Sequence, residues 1–145
     1  MPNNEQSVKE VRAAVEKWAQ ALHAQDLEKM HQHHASNYRL FDVQATVSGI
    51  EASKALWKQC MPYFDKPTIE YKDMQIEASD DMAVVHFKSR MKGMVMELPP
   101  EMANAWIRGT CCFRKTDDVW QCFHEHISFP VDCEKNAIAY DVAAA

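Results

Sequence analysis

The hydrophobic period of this chain changes at Pro62, and that change constrains the fold more than any other feature. Before Pro62, apolar residues recur at helical spacing; after it, they alternate. Val8, Val11, Val15, Trp18 and Leu22 form one stripe, with Glu16, Lys17 and Gln20 off it, which predicts an amphipathic helix. Ser7-Val8-Lys9-Glu10 has the form of a capping box at its start. Asp26 opens a shorter helix from Leu27 to about Ala35, and Tyr38 to Val43 reads as a short strand. A second capping box, Ser48-Gly49-Ile50-Glu51, opens a helix that runs to Met61 and stops at Pro62, whose ring cannot continue it.

Beyond that point Pro67 to Ala78 reads as a strand whose alternation slips near Asp73. Met82 to Lys92 sets Val85, Phe87 and Met91 against His86, Lys88 and Arg90. Gly93 to Met102 contains Pro99-Pro100 and is expected to be a loop. Asn104 to Lys115 and Val119 to Phe129 complete the strands, joined by a tight turn at Thr116-Asp117-Asp118. Consecutive strands with short connections imply an antiparallel sheet, and helices grouped at the front imply an α+β fold with those helices on one face. A curved sheet wrapped around the N-terminal helices makes a cone, whose interior is a natural place for a ligand. The length of 145 residues suits one domain, expected over residues 1–130, followed by a tail over 131–145 that packs as a short helix or stays loose.

Composition removes several classes of function. The net charge is -5 and Lys and Arg form no run, which argues against a nucleic-acid or anionic-membrane surface. Cys60, Cys111, Cys112, Cys122 and Cys133 include no CxxC pair, so neither a zinc framework nor a redox dithiol is expected, and free thiols in a reducing compartment fit better. The polar start MPNNEQSVKEV has no secretory pattern, and no apolar run is long enough for a membrane span, so the expectation is a cytoplasmic protein. His31, His33 and His34 cluster on the expected second helix, but no spacing matches a metal-ligand set, so no metal is expected. No serine has a GxSxG context, and Gly49, Gly93 and Gly109 stand alone, so neither a hydrolase elbow nor a phosphate-cradling loop is present.

Three stretches carry a family resemblance. VEKWAQALHAQDLEKM resembles the first helix pair of the nuclear transport factor 2-like superfamily, which includes ketosteroid isomerases and SnoaL-like polyketide cyclases. YRLFDVQATVSGIEASKALW resembles its first strand and third helix, and VWQCFHEHISFP is similar to its last strand. The resemblance covers roughly residues 8 to 130. It implies a conical α+β domain with an interior pocket for a hydrophobic small molecule, and cofactor-free proton transfer where the pocket is catalytic. The isomerases use a helix Tyr, a general-base Asp and a protonated Asp. Those positions fall here on Trp18, Asp42 and Cys111. One of three is kept, and an indole with a thiol makes a poor oxyanion hole. The resemblance therefore implies the fold and the pocket rather than steroid isomerisation.

Two carboxylates are candidates for chemistry. Alternation puts Leu40 and Asp42 on one strand face, so Asp42 is either a base in the cavity or a surface carboxylate at a strand end. In the last strand Trp120, Cys122, His124, His126 and Ser128 share one face, and Gln121, Phe123, Glu125 and Ile127 share the other. The resemblance turns the second set inward. Glu125 is then a partner acid for Asp42, or it pairs with a cation from a neighbouring strand. The same phase puts Trp120, His124 and His126 on the outer face, where many relatives dimerise. One slipped residue would reverse every such assignment. Trp18, Leu40, Trp57, Phe87 and Met91 are expected to line the pocket, with Trp106, Cys111 and Phe123. Met94, Met96 and Met102 lie in or beside the Pro99-Pro100 loop, a candidate lid. The competing reading is a non-catalytic ligand-binding or assembly module, like the association domain of calcium/calmodulin-dependent kinase II. That module would need only the outer face.

Overall fold

The computed structural model describes residues 3–95 and 105–139. Helices α1 (Glu5–His23) and α2 (Leu27–Met30) come first, followed by β1 (His34–Phe41), β2 (Thr46–Ser48) and α3 (Ile50–Cys60). Strands β3 (Phe64–Ala78), β4 (Met82–Met94), β5 (Ile107–Thr116) and β6 (Val119–Ser128) make up most of the rest. The six-stranded sheet has the order β2-β1-β6-β5-β4-β3. Every pairing is antiparallel except β1 with β6, which run parallel. The mixed α+β expectation therefore holds, with a curved sheet whose inner face packs against the helices.

Several local expectations shift. The cap of α1 is Asn4, whose side chain accepts from the Ser7 amide at 3.0 Å, not Ser7 itself. The helix therefore begins earlier than a Ser7 cap allows. Gly49 caps α3 without a side-chain bond, and Ser48 instead ends β2, opposite Arg39. Helix α2 stops at Met30, so His31 and His33 lie in the following turn and His34 opens β1 rather than all three riding a helix. The slip near Asp73 is a register shift in which Asp73 takes φ +52°. Asp117 and Asp118, both at positive φ, close the β5–β6 hairpin as a primed turn suits its twist. The tail carries a small hairpin, β7 (Val131–Asp132) against β8 (Ala137–Ile138). Among the described residues no helix is long and apolar enough to cross a membrane.

The core explains how α1 is seated. Val11 and Val15 pack with Leu40, Val85, Phe87 and Phe113 from the sheet. Trp120 is also in this core, 6% exposed. Its indole N–H donates to Glu10 of α1 at 2.7 Å, and the Lys115 ammonium lies 3.3 Å from the same oxygen. These donors, the indole first, hold the Glu10 carboxyl below its usual pKa. Trp120 thus fastens a helix to the sheet and does not lie on the outer face.

The reason is a β-bulge. Cys112 pairs with His124, yet the next residue, Phe113, pairs with Cys122. Phe123 is left without a partner, and alternation restarts after it. Trp120 and Cys122 point inward before the bulge, while Glu125 and Ile127 point inward after it. Phe123 is turned out beneath the Arg114 guanidinium, 4.6 Å from its ring centroid.

Candidate functional site

Between α1, α3 and the inner face of the sheet lies a cavity of about 350 Å³. Trp18 and Trp57 form one wall, their rings edge to face at 5.9 Å. Leu40, Phe87 and Met91 line the sheet side. Among the polar groups lining it, Tyr38, Asp42 and Cys111 lie around Glu125. Their gathering follows from topology: β1 runs parallel to β6 with Leu40 beside Glu125, so Asp42 follows directly past the end of β1.

Glu125 is the central group. The Tyr38 hydroxyl donates to its Oε2 at 3.0 Å. No lysine or arginine among the described residues pairs with it, which removes the structural ion pair as its explanation. Its pKa is pushed up from 4.5 to about 7: burial and the nearby Asp42 charge raise it, and hydrogen bonds from Tyr38 and Cys111 hold it back. The outcome is a carboxyl that holds its proton half the time near neutral pH. Tyr38 is 2% exposed, and burial and the Glu125 charge push its phenol far above the ordinary range, so it stays protonated. Because Tyr38 donates to Oε2, a proton held by Glu125 belongs on Oε1.

The SnoaL-like domain family matches residues 11–132. The chain belongs to that family. A nuclear transport factor 2-like protein of unknown function from Pseudomonas putida is 26% identical, with a TM-score of 0.85 over 97% of this chain and 98% of that one. A candidate dehydratase of the same superfamily from Streptomyces avermitilis is 17% identical, with a TM-score of 0.74 over 86% of this chain and 96% of its own. A candidate ketosteroid isomerase from Shewanella frigidimarina is 20% identical, with a TM-score of 0.67 over 80% and 92%. The last two likenesses are likenesses of fold. No curated protein matches the chain significantly.

In this SnoaL-like protein the expected residues divide cleanly. Asp42 and Glu125 both line the cavity, as do Trp18, Leu40, Trp57, Phe87, Met91 and Cys111. Phe123 does not, because the bulge turns it out. Trp106 does not either: it lies on the outer face with the Arg90 guanidinium at 4.6 Å and the Lys72 ammonium at 5.6 Å from its ring. Of the candidate lid, Met94 lines the cavity, whereas Met96, Met102 and Pro99-Pro100 lie outside the described residues. His124 and His126 stay on the outer face, both against the Phe41 ring.

Sequence reasoning missed two tyrosines. Tyr38 was legible in principle, since Tyr38, Leu40 and Asp42 share one alternation phase. Tyr71, on β3, lines the cavity from the opposite side, and its position depends on a strand whose register slips. Of the clustered histidines, His33 and His34 line the cavity, and His31 and His34 make the packing and hydrogen-bond contacts. His31 donates from Nδ1 to the Leu27 carbonyl at 2.7 Å and accepts at Nε2 from the Ser53 hydroxyl at 2.8 Å. His34 packs edge-on against Tyr38, and burial drives its pKa down to about 3, so it stays neutral.

Proposed function

We propose that this chain is a cofactor-free acid–base enzyme acting on a hydrophobic carbonyl compound, with an isomerase- or dehydratase-type proton transfer. The observation that carries this reading is Glu125: a carboxyl in an apolar cavity, oriented by Tyr38, with a pKa of about 7 and a second carboxylate nearby. Two carboxyls whose environments separate their protonation are the usual form of an acid and base pair. In this mechanism Asp42 takes a proton from the carbon next to the carbonyl. The C–H electron pair becomes the C=C bond of an enol, and Glu125 gives its Oε1 proton to the oxygen. The pair carries one negative charge before and after the step, so no net charge is created in the cavity. Isomerisation returns both protons; in elimination the enol electron pair re-forms the C=O and a new C=C as a β-hydroxyl leaves with the enol O–H proton as water, and the proton on Asp42 passes through solvent back to Glu125.

Deuterium exchange at the α-carbon of β-tetralone in heavy water, followed by NMR, tests this reading. The wild type is expected to accelerate exchange, and Asp42→Asn to slow it by about a hundredfold or more. Full exchange in Asp42→Asn would remove Asp42 from the mechanism. A non-catalytic pocket would give no exchange in any variant.

We further propose that the chain forms a homodimer through the outer sheet face, around Phe41, His124 and His126. Trp120 is no part of it, being buried under α1.

A further inference from the structure

The cavity reaches the surface at two places. Val43 and Gln44 line it and are exposed, which opens it past the end of β1, beside Asp42. Lys29 and His33 also line it. Lys29 is exposed and His33 half-buried, which opens it a second time at the turn between α2 and β1. His33 directly precedes β1 and Val43 follows its end, so the 8 residues of that strand separate the openings by roughly 25 Å. A space of about 350 Å³ spread over that length is narrow, and it suits an extended ligand better than a compact one.

The second opening is positively charged. Lys29 both lines the cavity and is exposed, as a lysine is when its stem covers apolar surface and its ammonium stays in water. Lys17 of α1 is exposed and close enough to His33 for its charge to add to burial in lowering the pKa of that ring. His33 is therefore neutral at pH 7 and offers a ring N–H rather than a third charge. Neither lysine forms an ion pair with a described residue. Glu28 is taken by Lys54, Glu10 by Trp120 and Lys115, and Asp26 accepts from the Lys29 amide. Among the described residues, the carboxylates that line the cavity belong to its other end: Glu125 lies beside Leu40, and Asp42 follows Phe41. The turn itself is pinned. The His34 amide donates to the His31 carbonyl at 3.1 Å, the Cys122 amide donates to the His33 carbonyl at 2.7 Å, and both ring nitrogens of His31 are bonded.

We infer that the opening at Lys17, Lys29 and His33 holds the carboxylate of an extended, singly charged ligand, whose hydrocarbon body lies against Trp18 and Trp57. The two ammonium groups attract the carboxylate, and the His33 ring N–H donates to it. The charge stays in water at the rim, so it is not desolvated, and only the apolar body enters the cavity. The like charge of Asp42 disfavours entry of that end through the first opening, which sets the direction of the ligand. Resting on the carbonyl chemistry proposed above, this assignment makes the substrate an oxo acid, with several methylenes between its carboxylate and the carbonyl that meets Glu125.

The test compares 6-oxo-6-phenylhexanoate with its primary amide, which matches it in shape and lacks the charge, by isothermal titration calorimetry at pH 7.5. The wild type is expected to bind the acid about tenfold more tightly in 0.05 M salt, and the preference to shrink toward equality at 0.5 M. Lys29→Gln is expected to lose about threefold in affinity for the acid and nothing for the amide. Lys9→Gln removes the same charge from an exposed site on α1 that does not line the cavity, and is expected to change neither. Equal affinity of the wild type for acid and amide, binding of neither, or an equal loss in Lys29→Gln and Lys9→Gln would each overturn the inference. Deuterium exchange on β-tetralone without any preference for the acid would overturn it and keep the acid–base reading. A preference that depends on Lys29, without exchange in the wild type, would sink the acid–base reading and leave a binding pocket for an anion-ended ligand.

Discussion

Glu125 illustrates how one side chain ties stability to chemistry. Its pKa is 4.5 in an exposed chain and about 7 in the fold. Below pH 4.5 both states hold the proton, and the group is neutral to stability. Between 4.5 and 7 the folded state keeps a proton that the unfolded chain releases, so folding becomes less favourable as pH rises. Above 7 the cost levels off at about 3 kcal/mol. Glu125→Gln keeps the Tyr38 hydrogen bond without the charge. It is expected to be more stable than wild type at pH 8.5, by up to about that amount, with the difference fading by pH 4.5; urea titrations at both pH values measure it. The same titration governs the reaction. Activity is expected to fall as pH rises through about 7, because the donor proton is then lost. A pH–rate profile flat between 6 and 9 would show that Glu125 is not the acid.

Strand β6 illustrates how one extra residue divides an element into two phases. An unbroken alternation puts Trp120 and Glu125 on opposite faces, whereas the bulge at Phe123 points both inward. The consequence is testable in Trp120→Ala. A core tryptophan that fastens α1 is expected to cost about 3–5 kcal/mol when removed, read by urea denaturation. A tryptophan on an interface would leave monomer stability nearly unchanged and weaken only dimerisation. The slip at Asp73 was legible because the polar residue broke a clean alternation. The bulge at Phe123 was not, because WQCFHEH reads acceptably in either phase. Helix α2 ends at Met30, short of the expected Ala35, for a related reason. Its histidines fit a helical pattern, but pairing of His34 with Cys122 draws them into the turn and the first strand.

For the whole molecule, the outer sheet face has a character that the linear sequence hides. Lys72, Lys88, Arg90, Lys92 and Arg108 are spread over three strands, and the alternation brings them to one face. Glu70 pairs with Arg90 at 2.8 Å and Lys92 at 3.4 Å, and Asp73 with Lys88 at 3.3 Å, so even with Lys72 left aside cations outnumber the anions paired with them among the described residues. A homodimer through this face brings like charges together. Its association is therefore expected to tighten as salt rises from 0.05 to 0.5 M, measured by sedimentation equilibrium. A monomer at every salt and protein concentration would remove the dimer.

The order of the main helices and strands, the curved α+β sheet and the shared strand face of Leu40 and Asp42 followed from local rules, because periodicity and proline act within a few residues; that this face is the inner one did not. Whether Glu125 was an acid or half of an ion pair did not follow, since that depends on which groups other strands bring within reach. Tertiary structure put Tyr38 on its Oε2, placed Asp42 nearby and left it without a cation. It also reversed Trp120 and expelled Phe123 through a single unpaired residue. The physical reason is the same in each case. A strand's own sequence sets a two-residue period, but the phase of that period is fixed by the hydrogen bonds of its neighbours.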